Sequence, residues 1–341
     1  PYGRYRYCQS QSAPLLYASV YAVLTRSLYG DLDNLTNQDR EEWIKYIQSF
    51  QCEDGLFRDP EVDCELASTV MWWGWQHLTF HAISALTLLG GVCKKDFLCL
   101  ESLMDTSNIE RWFIERKIRK SESSDIDAHS PLYLITLLQY IRDFHDSNWA
   151  NAAINKIIDL LNAQIDPLTG CWGTEGHAED ITCIDEGVKI GYHFWIFYFY
   201  DQISIPYADK VVDSILLTQN MMGGFDTSLN SSACDDIDSI DPLCRLLIQD
   251  DYRKVDIEHS LRRAVPWVLA NRNPDGGFVF KRDESFQYGH IKMLSGRNES
   301  HMFATWFRSL SLAYIGKALP EHFLGQHKWH LPRVPGLQFW P

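Results

Sequence analysis

Gln219-Asn-Met-Met-Gly223-Gly-Phe225 decides the fold, because its form returns along the chain: a polar residue, three more, a glycine, any residue and an aromatic. The other copies are Gln51-Cys-Glu-Asp-Gly55-Leu-Phe57 and Arg272-Asn-Pro-Asp-Gly276-Gly-Phe278, the latter with Arg for Gln. A looser copy, two residues longer, runs from Gln164 to Gly170-Cys171-Trp172. The starts at 51, 164, 219 and 272 lie 113, 55 and 53 residues apart, and the first gap is close to two periods of about 55. The 341 residues hold about six such periods.

Outward from each turn the pattern is helical. Ile154, Ile157, Ile158, Leu160 and Leu161 precede one copy, and Val211, Val212, Ile215, Leu216 and Leu217 precede the next. Spacing of i, i+3 and i+4 places an apolar stripe on one helix face. The glycines then end the helix and permit a reversal, and the aromatic packs back on the turn before it. A second helical pattern follows, as in His81–Leu89 and Met302–Ile315, while period-two alternation is sparse. Helix pairs of this length, repeated about six times, predict an all-α fold, an (α/α)6 toroid or barrel. An open helical solenoid would use shorter periods, roughly 34 to 47 residues. Pro and Gly gather in no one linker. The expectation is a single toroid domain over 1–341, a surface loop at Ser121–Asp127 and an extended C-terminal arm from about Pro320.

Composition narrows the function classes. With 31 basic and 45 acidic residues the formal charge is −14, and the densest basic run, Arg116-Lys117-Ile118-Arg119-Lys120, is short. Such a surface repels phosphate backbones, so no nucleic acid partner is expected. The most apolar stretch, Tyr192–Tyr200, is too short to cross a bilayer, and no signal peptide is visible. Nine scattered Cys without a CxxC pair read as buried thiols in a reducing compartment, so a cytoplasmic location is expected, with peripheral membrane contact left open. The oligomeric state is not encoded. Aromatics make up 13% of the chain, including twelve Trp, and they cluster, which suggests a cavity walled by large π-faces.

The turn copies resemble the QW-type repeats of the squalene-cyclase and protein-prenyltransferase superfamily, over about Gln51 to Gly316. That resemblance implies the same closed barrel, and it is specific for fold more than for chemistry.

The sharpest local feature is Cys234-Asp235-Asp236-Ile237-Asp238-Ser239-Ile240-Asp241. Crowded carboxylates cannot all ionise cheaply, so repulsion and burial would leave one of them protonated and able to act as a general acid. The same Asp residues would also serve as a helix cap. The resemblance implies more: class II terpene cyclases carry Asp-x-Asp-Asp, whose middle Asp protonates an alkene or epoxide. On that pattern Asp236 matches the first Asp and Asp238 the protonating one, while Ser239 replaces the last carboxylate. Ser239 and Asp241 would complete the hydrogen-bond shell.

The protein-prenyltransferase branch, laid on the same segment, implies zinc at Cys234, Asp236 and His301, although order and register differ from that family's set. No cofactor is expected, with zinc or magnesium left open. The stretch Lys189-Ile-Gly191-Tyr192-His-Phe194 is similar to that branch's helix start beside a diphosphate site, where Lys189 would meet an anion.

Polar and aromatic residues gather at other helix starts, and they supply the candidate substrate-binding set. These are Trp72, Trp75 and His81; Trp172, Glu175, Glu186, Lys189 and Tyr192; then Phe278, His301, Trp306 and Arg308. A hydrocarbon cyclase would use aromatic faces to stabilise carbocations and would want few bases. A carbohydrate-active hydrolase, lyase or epimerase would stack sugars on Trp and pair Asp238 with Glu175 or Glu186. A non-catalytic toroid would merely bind a ligand. The reading adopted is a terpene-cyclase-like enzyme, an isomerase or lyase, with Asp238 as general acid and an isoprenoid-like substrate. A glycan is the alternative small molecule.

Overall fold

The three tight copies of the turn fold alike. Gln51 pairs with Phe57, Gln219 with Phe225 and Arg272 with Phe278, each as an isolated antiparallel bridge. In each the central glycine has positive φ, +86° at Gly55, +99° at Gly223 and +89° at Gly276, a region that favours glycine. Gln51 and Gln219 act identically. Each Nε2 donates to the carbonyl of its own turn glycine and to one carbonyl across the fold, Lys95 or Ser260, at 2.9–3.0 Å.

The computed structural model describes residues 2–62, 74–115 and 127–340. The basic run at 116–120, most of the loop expected at 121–127, and Trp72 lie outside the described residues. Among those described there are eleven α-helices. Six form an inner ring: α1 (Leu16–Leu28), α3 (Trp75–Leu89), α5 (His129–Phe144), α7 (Ile181–Tyr200), α9 (Ala233–Gln249) and α11 (Met302–Ala318). Each packs on the next in that order and α11 packs back on α1, which closes the ring. Five more stand outside it: α2 (Asn37–Gln48), α4 (Ser107–Glu115), α6 (Trp149–Asn162), α8 (Ala208–Leu217) and α10 (Lys254–Ala270). A short 3₁₀ turn, Phe323–Gln326, packs on α11 after the last inner helix. This is an all-α toroid.

Burial follows the two layers. Every residue of α9 from Asp236 to Leu247 is buried, whereas α2 buries only Trp43 and Ile47. An outer helix needs one apolar stripe; an inner helix is enclosed by neighbours, by its outer partner and by whatever fills the centre.

Two further segments close the centre. A short hairpin, β1 (Phe286–Gln287) with β2 (Leu294–Ser295), lays aromatic residues over it. The segment from Pro320 does not reach outward as an arm. Over residues 331–340 it is bonded to four inner helices. Ser84 of α3 donates to the Pro335 carbonyl (2.6 Å), and the Tyr314 hydroxyl of α11 donates to that of Leu337. Gln338 accepts from the Trp306 indole of α11 (2.7 Å) and donates to the Leu24 carbonyl of α1 (3.0 Å). Arg245 of α9 donates to the Phe339 carbonyl at 2.9 Å.

Candidate functional site

The turn copies dock on the inner helices by one shared bond. The aromatic N–H of each turn donates to a side chain near the start of the following inner helix: Phe57 to Thr79 (2.8 Å), Phe225 to Asp236 (3.0 Å) and Phe278 to Thr305 (3.0 Å). Positions two before and two after that acceptor share one helix face, since i and i+4 are neighbours. In α3 they are His77 and His81, in α9 Cys234 and Asp238, and in α11 Phe303 and Phe307. All six line a central cavity of about 290 Å³.

Around it α5 contributes His129, Leu132 and Tyr133, and α7 contributes Tyr192 and His193. Phe280, Phe286, Gln287 and Tyr288 cover it from the hairpin side, and Leu337 reaches it from the C-terminal segment. The rings form a continuous wall: Phe280 on Phe286 at 3.7 Å between centroids, Phe303 on Tyr288 at 4.1 Å and on Phe307 at 4.5 Å.

Asp238 is the one carboxylic acid among the described lining residues, and no described residue hydrogen-bonds its carboxyl. Burial pushes its pKa well up, and Asp235, Asp185 and Asp236 push the same way against the opposing pull of Lys189. A carboxyl so placed is held in its neutral, proton-bearing form. The histidines of the wall are neutral for the matching reason. Burial lowers His81 to about 3 and His193 to about 4, and holds His77 and His129 well below the ordinary imidazole range. Burial likewise raises the phenols of Tyr133, Tyr192 and Tyr288 and the thiol of Cys234. The described lining is rich in polar groups, and burial favours the neutral form of each titratable one.

The other carboxylates of the acidic segment lie elsewhere. Asp236 points away from the cavity and accepts from the Phe225 amide, Ser231 Oγ (2.7 Å), Trp267 Nε1 (3.0 Å) and the Arg308 guanidinium. It is thus the charged counterpart of Thr79 and Thr305, held in a buried ion pair, and it reaches Asp238 only through its charge. Arg308 donates there and also to the carbonyls of Phe280 (2.9 Å) and Ser231 (3.2 Å). Asp241, expected in the acid's shell, lies one turn further along α9 and is spent on an ion pair, accepting from Arg245 Nε at 2.5 Å. Arg245 itself sits over Phe339 (4.1 Å), Tyr314 (5.0 Å) and Phe199 (5.2 Å). Ser239 is buried and faces away from the cavity.

Of the candidate substrate-binding residues, His81 and Tyr192 line the cavity. Trp172 is buried behind α7 with its ring edge-on to Phe194 (4.9 Å), and Trp306 stacks on Tyr21 (5.4 Å) one layer out. Trp75 is at the helix start under Arg58, 4.1 Å from its ring. Phe278 is spent in its turn. His301 caps α11 by accepting from the Ala304 amide (3.3 Å) and stacks on Tyr7 (5.0 Å). Glu175 is exposed on a loop and Glu186 half-exposed, so neither forms the carboxylate pair with Asp238 that glycan chemistry would need. Lys189 is ringed by Asp185 (2.6 Å), Asp235 (3.5 Å), Asp226 (3.7 Å) and Glu186 (3.8 Å), which leaves it no spare charge for an anion. The zinc set fails too. Asp236 is held by Arg308 and His301 by its cap, and no group of three such ligands converges among the described residues.

Sequence reasoning passed over His77, His129, His193, Tyr133, Tyr288 and Leu337 as site residues. The repeat carried a signal for His77, since it stands to Thr79 as Cys234 stands to Asp236. No helix among the described residues is long and apolar enough to cross a membrane.

A search of curated protein sequences returned no match. Among solved structures the chain is similar to ent-copalyl diphosphate synthase from Streptomyces platensis, with 15% identity and a TM-score of 0.45. The alignment covers 90% of this chain and 50% of that one, so the chain spans half the length of that protein. The family model for the prenyltransferase alpha-alpha toroid domain matches residues 1–73 and 74–226. With a closed ring of paired helices and that match over most of its length, the chain belongs to the prenyltransferase alpha-alpha toroid family.

Proposed function

We propose that the chain is a class II terpene-cyclase-like enzyme in which Asp238 protonates an isoprenoid and starts carbocation cyclisation. The observation that carries this reading is the neutral carboxylic acid set alone in an aromatic chamber. A carboxyl that no described residue hydrogen-bonds and whose pKa is raised keeps its proton until a substrate double bond is pressed against it. Once the proton has moved, the cation faces ring quadrupoles of Phe280, Phe286, Phe303, Phe307 and Tyr288, each worth about 0.5–2 kcal/mol when desolvated. No ionised carboxylate lines the described wall before the reaction to capture it.

Size supports the substrate class. At about 290 Å³ the cavity is at the small end of ligand sites, which suits a short isoprenoid rather than a triterpene. The test is turnover of trans-farnesol by wild-type protein and Asp238→Asn. The expected result is a loss of about 10²–10⁴-fold in cyclised product with the melting temperature held. Equal turnover by both proteins removes Asp238 from the chemistry.

A further inference from the structure

We propose that His81 Nδ1 is the base that receives a proton from the cyclised cation, held ready by a hydrogen-bond chain through His77 and Tyr17. This rests on the cyclase reading above and adds to it the group that ends the reaction.

The contacts among the described residues assign the protons in turn. The Tyr17 hydroxyl donates to the Gly74 carbonyl at 2.9 Å. A phenol has one proton to give, so in its 3.0 Å contact with His77 Nδ1 the imidazole N–H is the donor. A neutral imidazole carries one N–H, which leaves His77 Nε2 with a lone pair. His81 Nε2 lies 3.1 Å from that atom, and two facing lone pairs would repel, so the hydrogen between them belongs to His81. His81 Nδ1 is then bare. It belongs to a cavity-lining side chain, and no described residue hydrogen-bonds it. The Tyr288 hydroxyl, 2.9 Å from His77 Nε2, adds a phenol at the same junction.

A second imidazole meets part of this description. His193 Nδ1 donates to the Lys189 carbonyl at 2.7 Å, so its Nε2 is also bare. Two features favour His81. Behind it stands another imidazole: when Nδ1 takes a proton, the Nε2 proton can pass to His77, and the charge spreads toward Tyr17 and the Gly74 carbonyl. Behind His193 stands a single carbonyl. The second feature is position. In the ring α1, α3, α5, α7, α9, α11, helix α3 lies three steps from α9 in either direction, so His81 faces Asp238 across the chamber from the same place in its repeat. His193 sits on α7, beside α9.

The step balances without any co-reactant. The Asp238 O–H proton bonds to an alkene carbon with the π electrons, leaving a cation, and further π bonds close rings. A C–H bond beside the final cation breaks, its electrons form the new C=C, and its proton bonds to His81 Nδ1. Product and substrate are isomers. The imidazolium and the Asp238 carboxylate are reset through water once the product leaves. Burial makes His81 too weak a base to take the proton from Asp238 beforehand, yet any imidazole is basic enough for a carbocation.

The experiment has two arms. In ¹⁵N-histidine spectra of the full chain, His81 is expected to be protonated at Nε2 and bare at Nδ1, with His77 the reverse; Tyr17→Phe should release the His77 tautomer. A proton on His81 Nδ1 overturns the proposal. In the second arm trans-farnesol is the probe. His81→Phe, and His81→Gln as a polar but non-basic control, are expected to raise the ratio of water-captured to deprotonated product at least about tenfold. An unchanged ratio, with Asp238-dependent conversion intact, overturns the base alone, as does the same shift appearing with His193→Phe instead. Loss of Asp238-dependence in the wild type overturns the cyclase reading, and with it the base, whatever the tautomers.

Discussion

Two repeats of the ring, turn 51–57 with α3 and turn 219–225 with α9, share a backbone frame and differ in chemistry. In each the turn glycine has positive φ, the turn aromatic donates its N–H to the inner helix, and the residues flanking that acceptor look into the chamber. One repeat places His77, Thr79 and His81 in those positions; the other places Cys234, Asp236 and Asp238. The frame therefore sets where a side chain goes, and the side chain sets what happens there. A hydroxyl suffices as acceptor in α3. In α9 a carboxylate takes that place because Arg308 needs a counter-charge in the same buried space.

The largest expected effect tests that division directly. Asp236→Ala strands the buried Arg308 and three further donors, and should cost about 3–5 kcal/mol in denaturant unfolding. Thr79→Val and Thr305→Val each orphan one buried amide and should cost about 1–3 kcal/mol. Equal losses at all three sites would mean that the ion pair adds nothing to the shared frame.

Acid and base walls should also titrate in opposite senses. The folded pKa of Asp238 lies well above the ordinary value of 3.8, so the native state keeps a proton that the unfolded chain releases. Its contribution to stability is full below about pH 4 and is lost as pH rises through the folded pKa. His81 and His193, lowered from 6.5 to about 3 and about 4, bind fewer protons folded than unfolded. Their contribution is full above about pH 6.5 and is lost as pH falls toward those values. In melts across pH, Asp238→Asn should flatten the alkaline decline and His81→Phe the acid one. Matching shifts in both variants would contradict the assignment of opposite protonation states.

The smallest effects grade the turns. An added Cβ at Gly55 or Gly223 would lie 2.2 or 2.3 Å from a backbone oxygen, Asp96 or Arg263, whereas at Gly276 the nearest atom is the Arg272 side chain at 3.7 Å. Gly276→Ala should therefore cost only the conformational penalty of positive φ, about 1–2 kcal/mol, and the other two distinctly more by thermal melting.

How much was legible follows from the same frame. The turns announce themselves because glycine at positive φ and the Gln side chain are chemical requirements of the bend, and the helix pairs follow from their spacing. Asp238 was legible as a candidate acid because four carboxylates cannot share seven residues without consequence. The ion pairs of Asp236 and Asp241 were not legible because Arg308 and the rings around Arg245 come from other turns of the ring. The base-bearing wall was hidden by unequal connectors. The stretch from turn aromatic to its acceptor is 22 residues in the first repeat, 11 in the second and 27 in the third, which obscures the register that aligns His81 with Asp238. The hairpin that brings Phe286 and Tyr288 over the cavity is too short to leave a period in the sequence.

Leu337 belongs to the stretch that Ser84, Trp306, Tyr314, Arg245 and Leu24 fasten in place, and it forms part of the chamber wall. During synthesis that stretch emerges after all eleven helices. Until it docks, the chamber is open to solvent on that side and water can reach Asp238, whose proton would then be shed like that of any surface carboxylate. A ring with that stretch displaced would therefore lose the dry surroundings on which the proposed acid depends.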